Sequence, residues 1–552
     1  MIFCTVAQAL SASTISGLGV VAVMCFWRLL LEASSSTSRA AMSSAALKST
    51  EARQTEVLQR LDNAKFSWYD LFIISLVTPM LGAVYYPQDN GKLPRTSDLW
   101  LKGTALAGTL CGQLLFGVLG DAMGRKKVYL YTLLLMIFCT VAQALSASTI
   151  SGLGVVAVMC FWRYCDYPLS AVITSEYATN KTRGAMIAAV FSMQGFGMLS
   201  AAATACICLA AFQSSIENNV DKLDTVWRLL IGLGAVPAAL TIYLRARLPE
   251  TPRYTMQVNK NVKTAEHNVN AIQSTGHAKF KDEVEDEDAD RITWASFKSY
   301  LSANRRNSMV LFGTCSTWFF LDIAYYAQNL FMPNILSDLG WAPAMNINDP
   351  SSVYDRMFSM AKGQAIITLM GTFPGYFFTI AFVEKMGRVT IQYMGFIMMT
   401  VLLAIMAGCY NLLRANSHWA FVILYALTFF FANFGPNTTT FIIPAEVYPT
   451  KYRATCHGLS AACGKAGAIV GAFGFGELAY RQGTQNTLIG LCVCMFVGTL
   501  CTWFVPETKG KTLEQIWAER DGPETDGASS DSSGPQPKVS KIDSAMITSS
   551  MV

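Results

Sequence analysis

Gly117-Val-Leu-Gly-Asp121-Ala-Met-Gly124-Arg125-Lys126-Lys127 joins two apolar runs, Leu99 to Leu119 and Val128 to Leu145, through a short charged loop. The loop recurs as Glu384-Lys-Met-Gly387-Arg388 between two later runs. Two more marks repeat in the same order. Glu176, with Arg183 seven residues on, is matched by Glu446 with Arg453, and Pro249-Glu-Thr-Pro252-Arg253 is matched by Pro506-Glu-Thr-Lys509. Offsets of about 260 residues make the chain an internal repeat. Each mark closes an even-numbered apolar run, so the basic clusters fall on one side, which the positive-inside rule makes cytosolic. Both termini are then cytosolic.

The 552 residues are 52% hydrophobic and only 14% charged, with many runs near the roughly 20 residues a spanning helix needs. The chain reads as an all-α, multi-pass protein whose solvent is the lipid bilayer, with 12 transmembrane helices in two six-helix halves. A net charge of +5, with basic residues confined to loops between runs, excludes a nucleic-acid surface. The 15 cysteines lie in or beside apolar runs without metal-ligand spacing and read as small packing residues, so no metal and no cofactor is expected. None of the four histidines sits deep in an apolar run, which leaves proton handling to carboxylates.

The expected organisation follows. Residues 1–28 copy 136–163 letter for letter, an identity that diverged repeats do not keep, and are set aside as a duplication or an artefact. Residues 29–65 form a cytosolic tail and 66–248 the first six-helix half. The acidic stretch Lys281 to Asp290 lies in a cytosolic linker, 249–307, too charged to bury. The second half occupies 308–505, and 506–552 form a cytosolic tail.

Within the seventh run, Trp318-Phe-Phe-Leu-Asp322-Ile-Ala-Tyr325-Tyr326 puts an acid at membrane depth. Trp318, Asp322, Tyr325 and Tyr326 share one helical face. A carboxylate there costs at least a few kcal/mol unless it is paired, hydrated or protonated, which marks a functional site.

The loop motif, with its second copy, resembles that of the major facilitator superfamily. Asp166-Tyr167-Pro-Leu-Ser-Ala-Val-Ile-Thr-Ser-Glu176, Phe191-Ser-Met-Gln194-Gly, the Trp318 to Tyr326 stretch, Asn433-Phe-Gly-Pro-Asn437-Thr-Thr-Thr-Phe441 and His457-Gly-Leu-Ser-Ala-Ala-Cys-Gly-Lys465 resemble the proton-coupled inorganic phosphate transporters of fungi and plants, over about Leu61 to Trp517. The resemblance implies proton–phosphate symport at the plasma membrane by alternating access, arsenate as a related cargo, and no enzymatic activity. It implies a substrate site of Tyr167, Gln194, Trp318, Asp322, Tyr326, Asn433, Asn437 and Lys465. Asp322, Asp166 and Asp70 would couple protons. Asp121, Arg125, Glu176, Arg183, Glu384, Arg388, Glu446 and Arg453 would act as gates. A protonated Asp322 can donate to phosphate, whereas an ionised one repels it.

Two stretches depart from that family. The first helix lacks about half its length and one acid of a pair before Asp70. The fourth lacks about seven residues before Asp166, and the spacing of the repeat agrees: 55 residues from Asp121 to Glu176 against 62 from Glu384 to Glu446. Seven residues is near two helical turns, so Tyr167 would keep its facing but shift about 10 Å along the axis. A sugar or polyol facilitator, a phosphate sensor and a non-functional shortened product are the alternatives.

Overall fold

Gly124 and Gly387 adopt the same backbone conformation, φ +96° and ψ 151° at one, φ +98° and ψ 160° at the other. Only glycine takes that geometry without strain, so each copy of the loop motif turns one spanning helix into the next within a single residue. The computed structural model describes residues 67–146, 150–163, 167–178, 181–236, 294–338, 340–416 and 418–513, with a few single positions besides. These residues are helical and contain no strand.

The first half comprises α1 (Ser67–Tyr85), α2 (Arg95–Met123), α3 (Arg125–Ala144), α4 (Ile150–Arg163), α5 (Tyr167–Tyr177), α6 (Arg183–Ala211) and α7 (Leu223–Leu233). A short helix, α8 (Trp294–Ala303), lies on the loop-motif face, where Tyr300 stacks on Tyr452. The second half holds α9 (Arg305–Asp338), α10 (Pro350–Met386), α11 (Arg388–Gly408), α12 (His418–Asn433), α13 (Pro436–Val447), α14 (Arg453–Leu478) and α15 (Arg481–Phe504).

Among the described residues, nine helices are long and apolar enough to cross a membrane, with α12 and α13 forming one span. They coincide with nine of the expected runs. The first, fourth and sixth runs are represented, among the described residues, by α1, by α4 with α5, and by α7. Two spans carry π-turns, Thr368–Thr372 in α10 and Gly471–Phe475 in α14. Such turns interrupt the regular helix and are frequent at functional sites.

The halves meet along α2 against α14 and α6 against α10. The first crossing is close because Gly117 and Gly458 face each other: a Cβ on Gly458 would lie 2.5 Å from the Gln113 carbonyl oxygen. Small residues of this kind let membrane helices touch backbone to backbone.

Candidate substrate site and gates

The Asp322 side chain points from α9 into the interior, where Lys465 of α14 meets it. Nζ is 2.6 Å from Asp322 Oδ2 and 2.9 Å from the Tyr326 hydroxyl. The Trp318 indole lies beside the same carboxylate. Helical spacing stacks Trp318, Asp322 and Tyr326 on one wall, and Phe72 of α1 stacks on Tyr326 from the other half. A buried carboxylate and ammonium are tolerable only when paired and hydrogen-bonded, and this arrangement supplies both conditions.

Beside the ion pair lies an amide cluster. Asn437 Nδ2 donates to Asn433 Oδ1 (2.6 Å), Gln194 Oε1 (3.1 Å) and the Tyr376 hydroxyl (3.0 Å). The Tyr376 hydroxyl itself donates to Gln194 Oε1. Tyr325 lies between the two groups, near Tyr376 and Asn437, and its hydroxyl donates to Met198 Sδ of α6 at 3.6 Å. The break between α12 and α13 builds the cluster. Gly435 is extended and Pro436 opens the next helix, so Asn433 and Asn437 flank an interrupted span, and the Asn433 carbonyl accepts from both Thr379 and Thr438. Gln194 Oε1 is bonded across the two halves, since α6 belongs to the first and α10 and α13 to the second.

The structure thus brings together Gln194, Trp318, Asp322, Tyr326, Asn433, Asn437 and Lys465. Asp166 lies outside the described residues, as do the side chains of Asp70, Tyr167 and Glu176. Tyr376 is a member of the cluster that the residue pattern did not single out; Pro374-Gly375 immediately before it, inside an apolar run, was the available signal.

On the loop-motif face the two motif copies build related locks. Asp121 pairs with Arg125 at 3.0 Å, with both side chains fully buried. Its carboxylate also accepts from Thr455 N and Thr455 Oγ1 (2.7 Å each) and from Ala454 N (3.3 Å), capping α14 of the opposite half. Arg125 Nη2 donates across to the Thr450 carbonyl at 3.1 Å. In the second copy Glu384 pairs with Arg388 at 2.7 Å and accepts from Ala185 N at 3.2 Å, at the start of α6 in the first half. Glu446 pairs with Arg388 at 2.9 Å, not with Arg453, whose Nε instead donates to the Tyr448 carbonyl. Arg183 is buried at the start of α6.

The Pro-Glu-Thr repeats complete these locks. Glu250 accepts from Arg125 N (3.1 Å) and Lys126 N, and Glu507 from Arg388 N (3.0 Å) and Val389 N (2.9 Å). Each acid caps the helix that its motif starts, where the dipole favours negative charge.

The opposite face is also fastened. Asn90, in the loop after α1, donates from Nδ2 to the Met345 carbonyl (3.1 Å) and accepts at Oδ1 from Ile347 N (3.1 Å). The two halves are thus tied together on both faces.

One expectation is corrected here. His457 is fully buried, edge-on to Trp318 and Phe441, although its sequence neighbours are small and polar rather than strongly apolar. A glycine- and alanine-rich face buries a membrane helix as well as a leucine-rich one does.

A model of the family described as sugar (and other) transporters matches residues 64–519. The chain is 44% identical over 527 residues to inorganic phosphate transporter 1-1 of Oryza sativa subsp. japonica, covering 86% of this chain and 99% of that one. It is 44% identical to low affinity inorganic phosphate transporter 1 of Petunia hybrida, covering 84% and 92%. The proton:xylose symporter XylE, a major facilitator superfamily structure, shares the fold with a TM-score of 0.65 at 18% identity, covering 85% of this chain and 98% of that one. The chain therefore belongs to the major facilitator superfamily, in its sugar (and other) transporter family, among the inorganic phosphate transporters.

Proposed function

We propose that this transporter carries inorganic phosphate into the cell together with protons, by alternating access, at the plasma membrane with both termini cytosolic. The observation that carries the reading is the buried Asp322–Lys465 pair, set among Trp318, Tyr326 and the amides of Gln194, Asn433 and Asn437. The relatives named as phosphate transporters supply the substrate class.

The chemistry follows from charge. In the empty site Lys465 and Asp322 neutralise one another. If Asp322 takes a proton as dihydrogen phosphate enters, Lys465 is released to the oxyanion and the acid becomes a donor to it. One proton and one monoanion leave the site as neutral as before, which lets the halves rock around it without burying net charge. Tyr, Trp and amide N–H groups complete the donors, Tyr167 being the further candidate from the first half. Asp166 and Asp70 are proposed on the proton route. The Asp121–Arg125 and Glu384–Arg388–Glu446 locks, with Glu176, Arg183 and Arg453, are proposed as the cytosolic gate. Arsenate, of nearly the same shape and charge, is the expected second cargo. A neutral sugar needs no such buried ion pair.

The test is uptake of radiolabelled phosphate in transporter-deficient cells at pH 5 and pH 7, with surface expression matched. Uptake stimulated by acid, competed by arsenate but not by glucose and lost in Asp322→Asn is the expected result. Uptake indifferent to pH and to Asp322→Asn would overturn it. Phosphate-dependent signalling without flux would replace transport with sensing.

A further inference from the structure

We infer that His457 is the group that receives the coupling proton on its way to the cytosol, an inference that rests on the symport reading above. The imidazole is buried on α14, eight residues from Lys465. That spacing puts the two on one face, about 12 Å apart along the axis, with His457 nearer the loop-motif end. His457 Nε2 lies 3.1 Å from the Phe441 carbonyl oxygen. A carbonyl only accepts, so the ring hydrogen sits on Nε2 and Nδ1 is left as a bare lone pair. His457 Nδ1 is buried and has no hydrogen-bond partner.

The position suits an outgoing proton. The His457 ring meets Trp318 edge-on with centroids 5.7 Å apart, and Trp318 lies one helical turn from Asp322 on the same face of α9. Two residues before His457 on the same helix, Thr455 carries the gate bonds to Asp121. When those bonds part, His457 is the first imidazole that entering water meets below the ion pair.

Among the described residues, the carboxylates on the surrounding elements are already paired. Asp121 of α2 is paired with Arg125, Glu446 of α13 with Arg388, and Asp322 of α9 with Lys465. Arg453 on its own helix is held by the Tyr448 carbonyl, and Glu176 lies in the last turn of the neighbouring α5, its side chain outside the described residues. An imidazolium closed in among Trp318 and Phe441 would lack a counter-charge of its own, so protonation waits on opening of the gate. The step balances. The Asp322 carboxylic acid gives its proton through bridging water to His457 Nδ1, the carboxylate pairs again with Lys465, and the imidazolium passes the proton to cytosolic water.

The test separates proton release from binding, because net uptake needs the proton to leave whereas exchange of labelled for unlabelled phosphate across the membrane does not. His457→Asn and His457→Gln are compared with the unmodified protein in proteoliposomes at matched content. The expected result is a fall of at least tenfold in net uptake, with exchange kept within about twofold. Net uptake unchanged in either variant, or uptake and exchange lost together in both, would overturn the assignment. If the unmodified protein takes up phosphate without acid stimulation, the symport reading fails first. Acid-driven uptake that is lost in Asp322→Asn but intact in His457→Asn removes only the histidine.

Discussion

Lys465 Nζ lies 2.6 Å from Asp322 Oδ2, an ion pair between α14 and α9 with each side chain only 1% exposed to solvent. Removing one partner of such a pair strands a buried charge, at a cost of about 3–5 kcal/mol. Lys465→Ala is therefore expected to lower the melting temperature in detergent sharply. Asp322→Asn combined with Lys465→Ala should recover most of that loss while remaining inactive in uptake. If the double variant melts no higher than the single, the pair is not what holds the interior together.

Tyr376→Phe removes the hydroxyl that donates to Gln194 and accepts from Asn437. Leaving buried amide groups short of a partner costs about 1–3 kcal/mol. The KM for phosphate is expected to rise about five- to 150-fold with a smaller change in maximal rate, read from the concentration dependence of uptake.

Asp121→Ala abolishes the cap on α14 and strips Arg125 of its carboxylate. The loop-motif face should open, exposing Cys456, now fully buried next to Thr455. Maleimide labelling of Cys456, followed by peptide mass spectrometry, is expected to accelerate about tenfold, equivalent to roughly 1.4 kcal/mol of shifted equilibrium. Asp121→Asn should do less, because its amide oxygen still accepts from Thr455.

Asn90→Gly tests the opposite face. Glycine tolerates the φ of +52° found at this position but loses both bonds to the Met345–Ile347 loop. At about 0.5–1.5 kcal/mol per bond, the outward-open state gains roughly five- to 150-fold. Cys206, buried near Lys362 at the α6–α10 interface, is the natural reporter, and its labelling from outside should rise.

Much of this was legible in the chain. The duplicated motifs gave the two halves and the face that carries the acid–base locks, because a turn at positive φ and an acid–base pair leave fixed letters at fixed spacing. Asp322 announced itself by its cost at membrane depth, and helical periodicity put Trp318 and Tyr326 beside it. Tertiary partners were harder to read. Glu446 has Arg453 seven residues away in sequence but takes Arg388 in space, since the fold brings α11 against α13. Tyr376 was hidden because a lone tyrosine in an apolar run reads as packing, and only the Pro374-Gly375 break before it hinted otherwise. His457 was missed because small residues score as weakly apolar even where they pack most closely. The Pro-Glu-Thr motifs were visible as repeat marks, yet only the three-dimensional arrangement assigns their acids to helix caps.

Among the described residues, ownership of the polar cluster is unequal: Trp318, Asp322, Tyr325, Tyr326, Tyr376, Asn433, Asn437 and Lys465 all belong to the second half, and Gln194 alone comes from the first. A cargo held there would ride with the second half whenever the two separate. The first half would then work as a shutter, each stroke withdrawing Gln194 from the load while Asp322 and Lys465 travel with it and pair again once the cargo has left. Unloading would depend less on breaking many bonds at once than on how far α6 recedes.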